Sequence, residues 1–200
     1  MTGSVFEYHD LIEAVVMAVE MRDIHTAHHS LRVSNMTEEL CRRLNLPDEE
    51  VALYHIAADL HDIGKLGVRD AVLLKRGRLD EGEWAEMREH AAIGGEILGK
   101  VERFKTIAEI VRHHHERWDG NGYPDRVSGG RIPFGSRIIA VADSIDAMLS
   151  DRSYRGALSP ETCRMEIVKN SGKMYDPRAV AAALEDWDGL LKRRKNGLSS

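Results

Sequence analysis

Histidine is concentrated in one part of this 200-residue chain, where nine of its ten histidines lie between His25 and His115. Imidazole and carboxylate groups are ligands that suit iron, manganese, zinc and nickel, so the clustering predicts a metal site. The candidate ligands fall in five segments: His29, His61 with Asp62, His90, His114 with His115, and Asp143. Cys41 and Cys163 stand far apart and outside any C-x-x-C pair, which disfavours a thiolate zinc site.

Each candidate has an ordinary structural explanation when it is taken alone. His61 and Asp62 end an apolar segment, where such a pair is often only a solvated helix end. The internal histidine run at 113–115 could be a solvated stretch, and Asp143 could be a helix cap or half of a salt bridge. However, Asp143 follows five apolar residues, and a buried carboxylate must be paired or bind a metal. Together, the candidates favour a metal centre.

The number of candidate ligands predicts more than one ion. Two six-coordinate ions need about twelve ligand positions, so seven side chains, one of them bridging, leave positions for water, hydroxide or substrate oxygens. Such an open site is typical of catalysis. Other catalytic motifs are missing, because the chain has no Walker loop and no G-x-G-x-x-G after a strand, and the His115-Glu116 pair does not continue as H-E-x-x-H.

Helices must position these residues, because apolar side chains recur at helical spacing along almost the whole chain. We expect one compact all-α domain of about seven helices over residues 16–190, a lead-in at 1–15 and a flexible tail at 191–200. The main predicted helices cover about 8–21, 25–44, 48–62, 80–98, 104–116 and 136–149, and further helix starts lie at Ser159-Pro160 and Asp176-Pro177. The glycine-rich stretch 117–135 is long enough to predict a functional loop.

Composition excludes several other classes of protein. The net charge of -5 and a pI near 6.1 argue against binding to a nucleic-acid polymer, which needs clustered Lys and Arg. No apolar run approaches the roughly 18 residues of a membrane span, and the first residues lack the features of a signal peptide. We therefore expect a cytoplasmic protein.

The ordered motifs resemble those of the HD-GYP domains, a branch of the HD superfamily of metal-dependent phosphohydrolases. The matching segments are TAHHSLRV at 26–33, HDIGKLGV at 61–68, HHERWDGNGYP at 114–124, IP at 132–133, VADSIDAMLSDRSYR at 141–155 and YDP at 175–177. The resemblance implies that the candidate ligands hold two divalent ions, iron or manganese before zinc or nickel, with Asp62 as the bridge. It also implies hydrolysis of cyclic di-GMP to linear pGpG, or further to GMP, by a metal-bridging hydroxide.

The resemblance extends to residues beside the metal ligands. It implies a catalytic role for Lys65, with Asp62, and phosphate binding by Arg152 and Arg155, whose guanidinium groups fit phosphate oxygens in two places. Asp146 and Tyr123 are further expected substrate contacts. The Gly122-Tyr123-Pro124 loop is associated in the family with docking of diguanylate cyclases that carry a GGDEF domain, although a rigid turn that packs Tyr123 on the core is equally compatible.

His25 departs from the family pattern, because some three-metal members carry Glu at this position. A neutral imidazole balances less positive charge, so we expect two ions, with His25 a weak third-metal ligand or an outer-shell residue. Two other functions stay open: an HD-superfamily phosphohydrolase for another cyclic dinucleotide or a nucleotide, and an inactive module that binds cyclic di-GMP or a cyclase. The GYP loop and the paired arginines argue against a simple nucleotidase, and the intact ligand set argues against an inactive module.

Overall fold

The computed structural model describes residues 9–22, 28–151 and 156–195. These residues form ten α-helices and no β-strand, which confirms the all-α class and exceeds the expected number of helices. The helices are α1 (His9–Arg22), α2 (His29–Arg43), α3 (Asp48–Asp59), α4 (Asp70–Leu73), α5 (Glu81–Gly99), α6 (Lys105–Arg112), α7 (Phe134–Leu149), α8 (Pro160–Lys169), α9 (Pro177–Glu185) and α10 (Trp187–Lys195). None of the helices among these residues is long and apolar enough to cross a bilayer.

Local capping explains where several helices begin. At the start of α5 the Asp80 carboxylate accepts from the Glu83 amide at 2.9 Å, and Glu83 accepts from the Asp80 amide at 2.8 Å. This reciprocal capping box satisfies two amides that would otherwise lack partners. Ser159 and Asp176 cap α8 and α9 in the same general way, each followed by a proline at the first helical position. The predicted starts of these helices are therefore confirmed.

The core lies among α2, α3 and α7, which pack against one another at the centre of the fold. Val33, Met36 and Leu40 of α2 and Ile138 and Ile139 of α7 are inaccessible to solvent. The α2 residues recur at spacings of three and four positions, and in α7 Ile138 and Ile139 are followed by buried Ala142 and Ile145 at the same spacing, so each helix turns one apolar face inward. The centre of the fold is thus a rigid platform on which polar residues of the same helices can be held.

The last helix, α10, continues to Lys195, into the region that the sequence suggested would be a flexible tail. Trp187 and Leu190 anchor it, since both are buried in the main core. In addition, Arg43 of α2 donates to the backbone oxygens of Ala182 and Asp186 at 3.1 and 2.9 Å. Apolar burial and side chain to backbone hydrogen bonds therefore hold this helix against α2, and residues 196–200 lie outside the described residues.

Two helices end earlier than their apolar pattern indicates. Helix α3 ends at Asp59 and α6 at Arg112, so His61, Asp62, His114 and His115 lie in the turns that follow. His61 Nδ1 donates to the Ala58 oxygen and His114 Nδ1 to the Val111 oxygen, both at 2.6 Å. Histidine side chains thus satisfy carbonyls near each helix end, as side chains at helix C-termini commonly do.

Candidate metal centre

Seven predicted ligand side chains come together at one place in the fold. His29 is the first residue of α2, His90 lies in α5 and Asp143 lies in α7. The turns after α3 and α6 supply the remaining four: His61, Asp62, His114 and His115. Because these elements belong to the packed core of the domain, the side chains are held from several sides, as precise ligation requires.

The ligands form two groups, each with three ligand atoms within 4.8 Å of one another. The first ligand group is His29, His61 and Asp143, in which His29 Nε2 lies 3.2 Å from His61 Nε2 and 3.3 Å from Asp143 Oδ1. The second ligand group is His90, His114 and His115. His90 Nε2 and His114 Nε2 are 3.4 Å apart in this group. Three such atoms facing one point are what a metal ion with open positions needs.

Asp62 lies between the two groups and offers one oxygen to each. Its Oδ2 lies 3.5 Å from His61 Nε2 and 3.8 Å from His29 Nε2, both in the first group. Its Oδ1 lies 3.6 Å from His90 Nε2, in the second group. A single carboxylate therefore faces both ligand groups. Lys65 Nζ lies 2.8 Å from Asp62 Oδ2, which puts the motif lysine beside this carboxylate.

The ring orientation of three histidines is fixed by the backbone. His61, His90 and His114 each donate from Nδ1 to the carbonyl oxygen three residues earlier, at 2.6 Å in every case. With the proton on Nδ1, Nε2 keeps its lone pair and points to the centre, where a metal ion can accept it. The donor set therefore fits divalent transition-metal ions.

His29 is oriented differently, through a carboxylate. Its Nδ1 lies 2.8 Å from Oδ2 of Asp146, which is inaccessible to solvent. Arg32 and Arg194 also donate to Asp146, each from Nε to Oδ1 at 2.7 Å. Because its carboxylate is buried and already bonded, Asp146 has no surface for a substrate. The expected substrate contact does not fit this placement, and a role in orienting His29 does.

The histidines of the two ligand groups differ in the direction in which their pKa values are shifted. In the second group, burial lowers the pKa of His90 and His114, and burial with the neighbouring His90 lowers the pKa of His115 to about 3. In the first group, burial opposes the charge on His29, but hydrogen bonds to Asp143 and Asp146 outweigh it and raise its pKa to about 9.

The carboxylates of the centre remain ionised despite their burial. Burial opposes the charge on Asp62, but Lys65 and the surrounding histidines hold its pKa well below the usual value. Burial likewise opposes the charge on Asp143, while its hydrogen bond with His29 keeps the pKa low. The second group thus presents neutral imidazoles beside the charged Asp62 carboxylate, the forms in which both bind metal ions, whereas His29 must lose a proton before it can bind one.

Close backbone contact fixes the spacing between α5 and the turn that carries His61 and Asp62. A Cβ atom added to Gly64 would lie 1.8 Å from the His90 carbonyl oxygen and 2.5 Å from the Gly94 amide nitrogen. Only glycine fits there, so the turn that carries Asp62 can approach the helix that carries His90. Gly64, which follows the apolar pattern of α3, therefore brings Asp62 within reach of the second group.

Tyr123 of the GYP loop borders the second group. Its ring centroid lies 4.9 Å from that of His115, and its amide donates to the His115 carbonyl at 3.3 Å. The Arg88 guanidinium lies 5.6 Å from the Tyr123 ring centroid and 5.9 Å from that of Trp84. Arg88 was not identified from the sequence, because residues two positions apart in a helix do not share a face and His90 therefore gives no signal for it.

Several predicted residues lie outside the described residues, namely His25, Arg152 and Arg155. His28, which is adjacent to the predicted ligand His29, is exposed before α2 and has a positive φ of 58°. Sequence reasoning also missed Arg32 and Arg194. Arg32 follows His29 by three positions and so shares its helix face, whereas nothing distinguishes Arg194 within the basic run at 192–195.

Comparison with known proteins places these features in context. Residues 13–179 match the family model described as HD domain. The chain is 40% identical over 177 residues to the cyclic di-GMP phosphodiesterase response regulator RpfG of Xanthomonas campestris, covering 88% of this chain and 47% of that protein. It is 38% identical over 187 residues to 3'3'-cGAMP-specific phosphodiesterase 2 of Vibrio cholerae, covering 92% of this chain and 36% of that protein. The chain thus spans less than half the length of these two relatives.

A solved structure shares the fold. The crystal structure of the Vibrio cholerae cyclic GMP-AMP phosphodiesterase V-cGAP3 superposes with a TM-score of 0.71 over 95% of this chain and 50% of that one. Sequence identity in this alignment is 20%, so the likeness supports the helical architecture and nothing finer.

Proposed function

The chain belongs to the HD domain family, and we propose that it is a metal-dependent phosphodiesterase that opens cyclic di-GMP to linear pGpG. The observation that carries this proposal is the position of Asp62, whose two oxygens face two different ligand groups. A bridged pair of metal positions with unfilled coordination suits displacement at a phosphate.

We infer two divalent ions, iron or manganese, as the cofactors. Imidazole and carboxylate donors without thiolate favour these ions, and the protonated Nδ1 atoms leave the Nε2 lone pairs of His61, His90 and His114 free for them. When bound, such ions lower the pKa of water towards neutrality and offset charge on phosphate oxygens. A third ion is not part of this proposal.

The protein's own groups are assigned roles around that centre. Lys65 holds Asp62 Oδ2 at 2.8 Å and adds a positive charge beside the bridging carboxylate. Tyr123, half-buried against His115, borders the second group and is proposed to contact the substrate. Arg152 and Arg155 are proposed to bind the phosphates, since they follow α7, which carries Asp143.

The names of the relatives favour a cyclic dinucleotide and leave two candidates. RpfG and a protein of Thermotoga maritima, 40% identical over 185 residues, are named as cyclic di-GMP phosphodiesterases. Another relative is named as specific for 3'3'-cGAMP. We therefore keep hydrolysis of 3'3'-cGAMP as the second candidate. The two complete ligand groups argue against a module that binds the dinucleotide without cleaving it.

The test uses protein purified without oxygen, analysed for metal and incubated separately with cyclic di-GMP and with 3'3'-cGAMP. Chromatography should show cyclic di-GMP converted to pGpG by protein that carries iron or manganese. An Asp62→Ala variant serves as the inactive control. Faster cleavage of 3'3'-cGAMP would select the second candidate, and cleavage of neither compound by metal-loaded protein would contradict the proposal.

The outer side of the GYP loop is proposed for a different contact, docking of a diguanylate cyclase. Asn121 and Arg126 are exposed there, while Gly122 and Glu116 are buried beneath them. Glu116 accepts from the Asp125 amide at 2.7 Å, so the loop is held to the domain and its outer residues have a fixed position. A binding assay with a purified GGDEF domain and an Asn121→Ala, Arg126→Ala double variant tests this contact.

A further inference from the structure

The C-terminal helix reaches the metal centre through one side chain, that of Arg194. Arg194 Nε lies 2.7 Å from Asp146 Oδ1, and its Nη2 lies 2.7 Å from the Ser150 hydroxyl oxygen. Only 13% of the Arg194 side chain and 1% of the Asp146 side chain are accessible to solvent. This ion pair is therefore shielded from water and from the screening that weakens surface pairs.

The two partners of Arg194, Asp146 and Ser150, belong to two different parts of the site. The other oxygen of Asp146 lies 2.8 Å from Nδ1 of His29, which turns Nε2 of that histidine towards Asp143 and His61. Ser150 stands directly before the segment 151–155 that carries Arg152 and Arg155. One guanidinium group thus contacts both the carboxylate beside His29 and Ser150, the residue that precedes the segment proposed to bind phosphate.

We propose that Arg194 is a positioning residue that couples α10 to the first ligand group and to Ser150, at the end of α7. The proposal rests on the proposed function for its second half, because the phosphate-binding role of 151–155 belongs to that function. Arg194 lies beyond residues 13–179, which the HD domain model matches. The contact therefore adds to the family site an element that the matched segment does not contain.

The chemistry favours arginine at this position. A guanidinium group presents several N–H donors in a fixed plane, so it can hold Asp146 and Ser150 at the same time. A lysine ammonium could retain the charge but would not present the same planar fork. Arg32 also bonds Asp146, at 2.7 Å to Oδ1 and 3.0 Å to Oδ2, so the carboxylate keeps one cationic partner without Arg194. The expected effect of losing Arg194 is therefore moderate.

The attachment of α10 does not depend on Arg194, which allows the two roles to be separated. Trp187 and Leu190 are buried in the core, and Arg43 bonds the backbone at Ala182 and Asp186. The neighbouring Arg193 points elsewhere, 3.5 Å from Glu38 and from Glu39 of α2, and is 38% exposed. Arg193→Ala is therefore a matched control that removes an adjacent arginine from the same helix.

The experiment measures Mn²⁺ binding to metal-free protein by titration calorimetry, so it does not depend on catalysis. We expect Arg194→Ala to weaken Mn²⁺ binding at the tighter site about 10-fold, the lower end of the range for loss of an outer-shell partner. Arg194→Lys should recover part of this loss, and Arg193→Ala should bind as the wild type does. Thermal unfolding of the metal-free variants should show Arg194→Ala to be less stable than Arg193→Ala, because a buried ion pair loses one partner, so Mn²⁺ binding is compared at a temperature where both variants are folded.

A double-mutant cycle identifies the route of the coupling. If Arg194 acts through Asp146, Arg194→Ala should have little further effect on Mn²⁺ affinity in an Asp146→Asn background. Additive losses would overturn the proposal, as would Mn²⁺ affinity within twofold of wild type in Arg194→Ala. If Arg194→Ala does not fold, Arg194→Gln is measured in its place and judged by the same outcomes.

Kinetics test the second half of the proposal. With cyclic di-GMP, Arg194→Ala at saturating Mn²⁺ should raise KM more than it lowers kcat, because Ser150, which precedes the proposed phosphate-binding Arg152 and Arg155 in the sequence, loses its bond to Arg194. An unchanged KM would overturn this half. Failure of the wild type to cleave cyclic di-GMP would contradict the proposed function instead, while the Mn²⁺ measurements would still decide the role of Arg194.

Discussion

The two ligand groups share imidazole chemistry but differ in charge. The first group includes the Asp143 carboxylate, and a second carboxylate, Asp146, lies behind His29. The second group contains three imidazoles, and backbone carbonyls rather than carboxylates lie behind His90 and His114. Because a carboxylate offsets cationic charge and an imidazole does not, the first group is built to hold an ion more tightly.

The second ligand group depends on Asp62 for negative charge. Asp62 Oδ1 is the carboxylate oxygen close to this group and lies 3.6 Å from His90 Nε2. The first group has Asp143 as well. Removal of Asp62 should therefore lower the metal affinity of the second group more than that of the first.

Asp62→Ala should have the largest effect. The substitution removes the carboxylate whose two oxygens face both groups, and Asp143, the other carboxylate among the ligands, belongs to the first group with His29 and His61. We expect activity to fall by more than the roughly 10- to 100-fold typical of an outer-shell change, together with loss of at least one ion. Metal analysis and single-turnover kinetics on cyclic di-GMP would measure this. Turnover within about tenfold of wild type would count against the bridging assignment.

Chelation should separate the two positions. A chelator added in steps to the metal-loaded protein should remove the ion of the second group first, because that position has less negative charge. His115→Ala should eliminate this early phase and keep one tightly held ion, whereas Asp143→Asn should weaken the late phase. Metal analysis after each step follows both. Simultaneous loss of both ions from the wild type would show that the charge difference does not control affinity.

Arg152→Ala and Arg155→Ala should have a smaller effect, confined to substrate. Arginines that bind phosphate act outside the ligand groups, so we expect a rise in KM and unchanged metal content. Steady-state kinetics with metal analysis of the same samples would separate the two. Loss of metal in either variant would mean that the arginine supports metal binding and is not confined to binding the substrate.

The sequence predicted much of this architecture because its strongest signals are local. Apolar spacing predicted the long helices, and Ser159 and Asp176 marked helix starts that the structure confirms. The helix ends at Asp59 and Arg112 were missed, since histidine side chains bond the backbone there and apolar spacing does not report this. The predicted ligands come together in space.

Residues that act through other residues were harder to predict. Asp146 was expected to contact the substrate, because its place in the motif shows that it is near the site but not which way it faces. Its actual partners come from α2 and α10, and the Arg194 contact joins positions 48 residues apart. Such a contact depends on how the last helix packs, which neither local spacing nor charge pattern specifies.

His25→Ala should have the smallest effect among the residues assigned to the site. His25 precedes His29 by four positions, which predicted a shared helix face, but α2 begins only at His29, after His28 with its left-handed φ of 58°, so this spacing no longer assigns His25 to the first ligand group. A neutral imidazole there offsets no cationic charge, so a third ion should be weakly held and two ions are the expected stoichiometry. We expect His25→Ala to cost no more than about 10- to 100-fold in activity or metal affinity, the range for an outer-shell residue.

His28→Ala is the matched control and should change neither activity nor metal affinity, because His28 is exposed. Three tightly bound ions in the wild type that fall to two in His25→Ala would make His25 a metal ligand and extend the centre beyond the two groups.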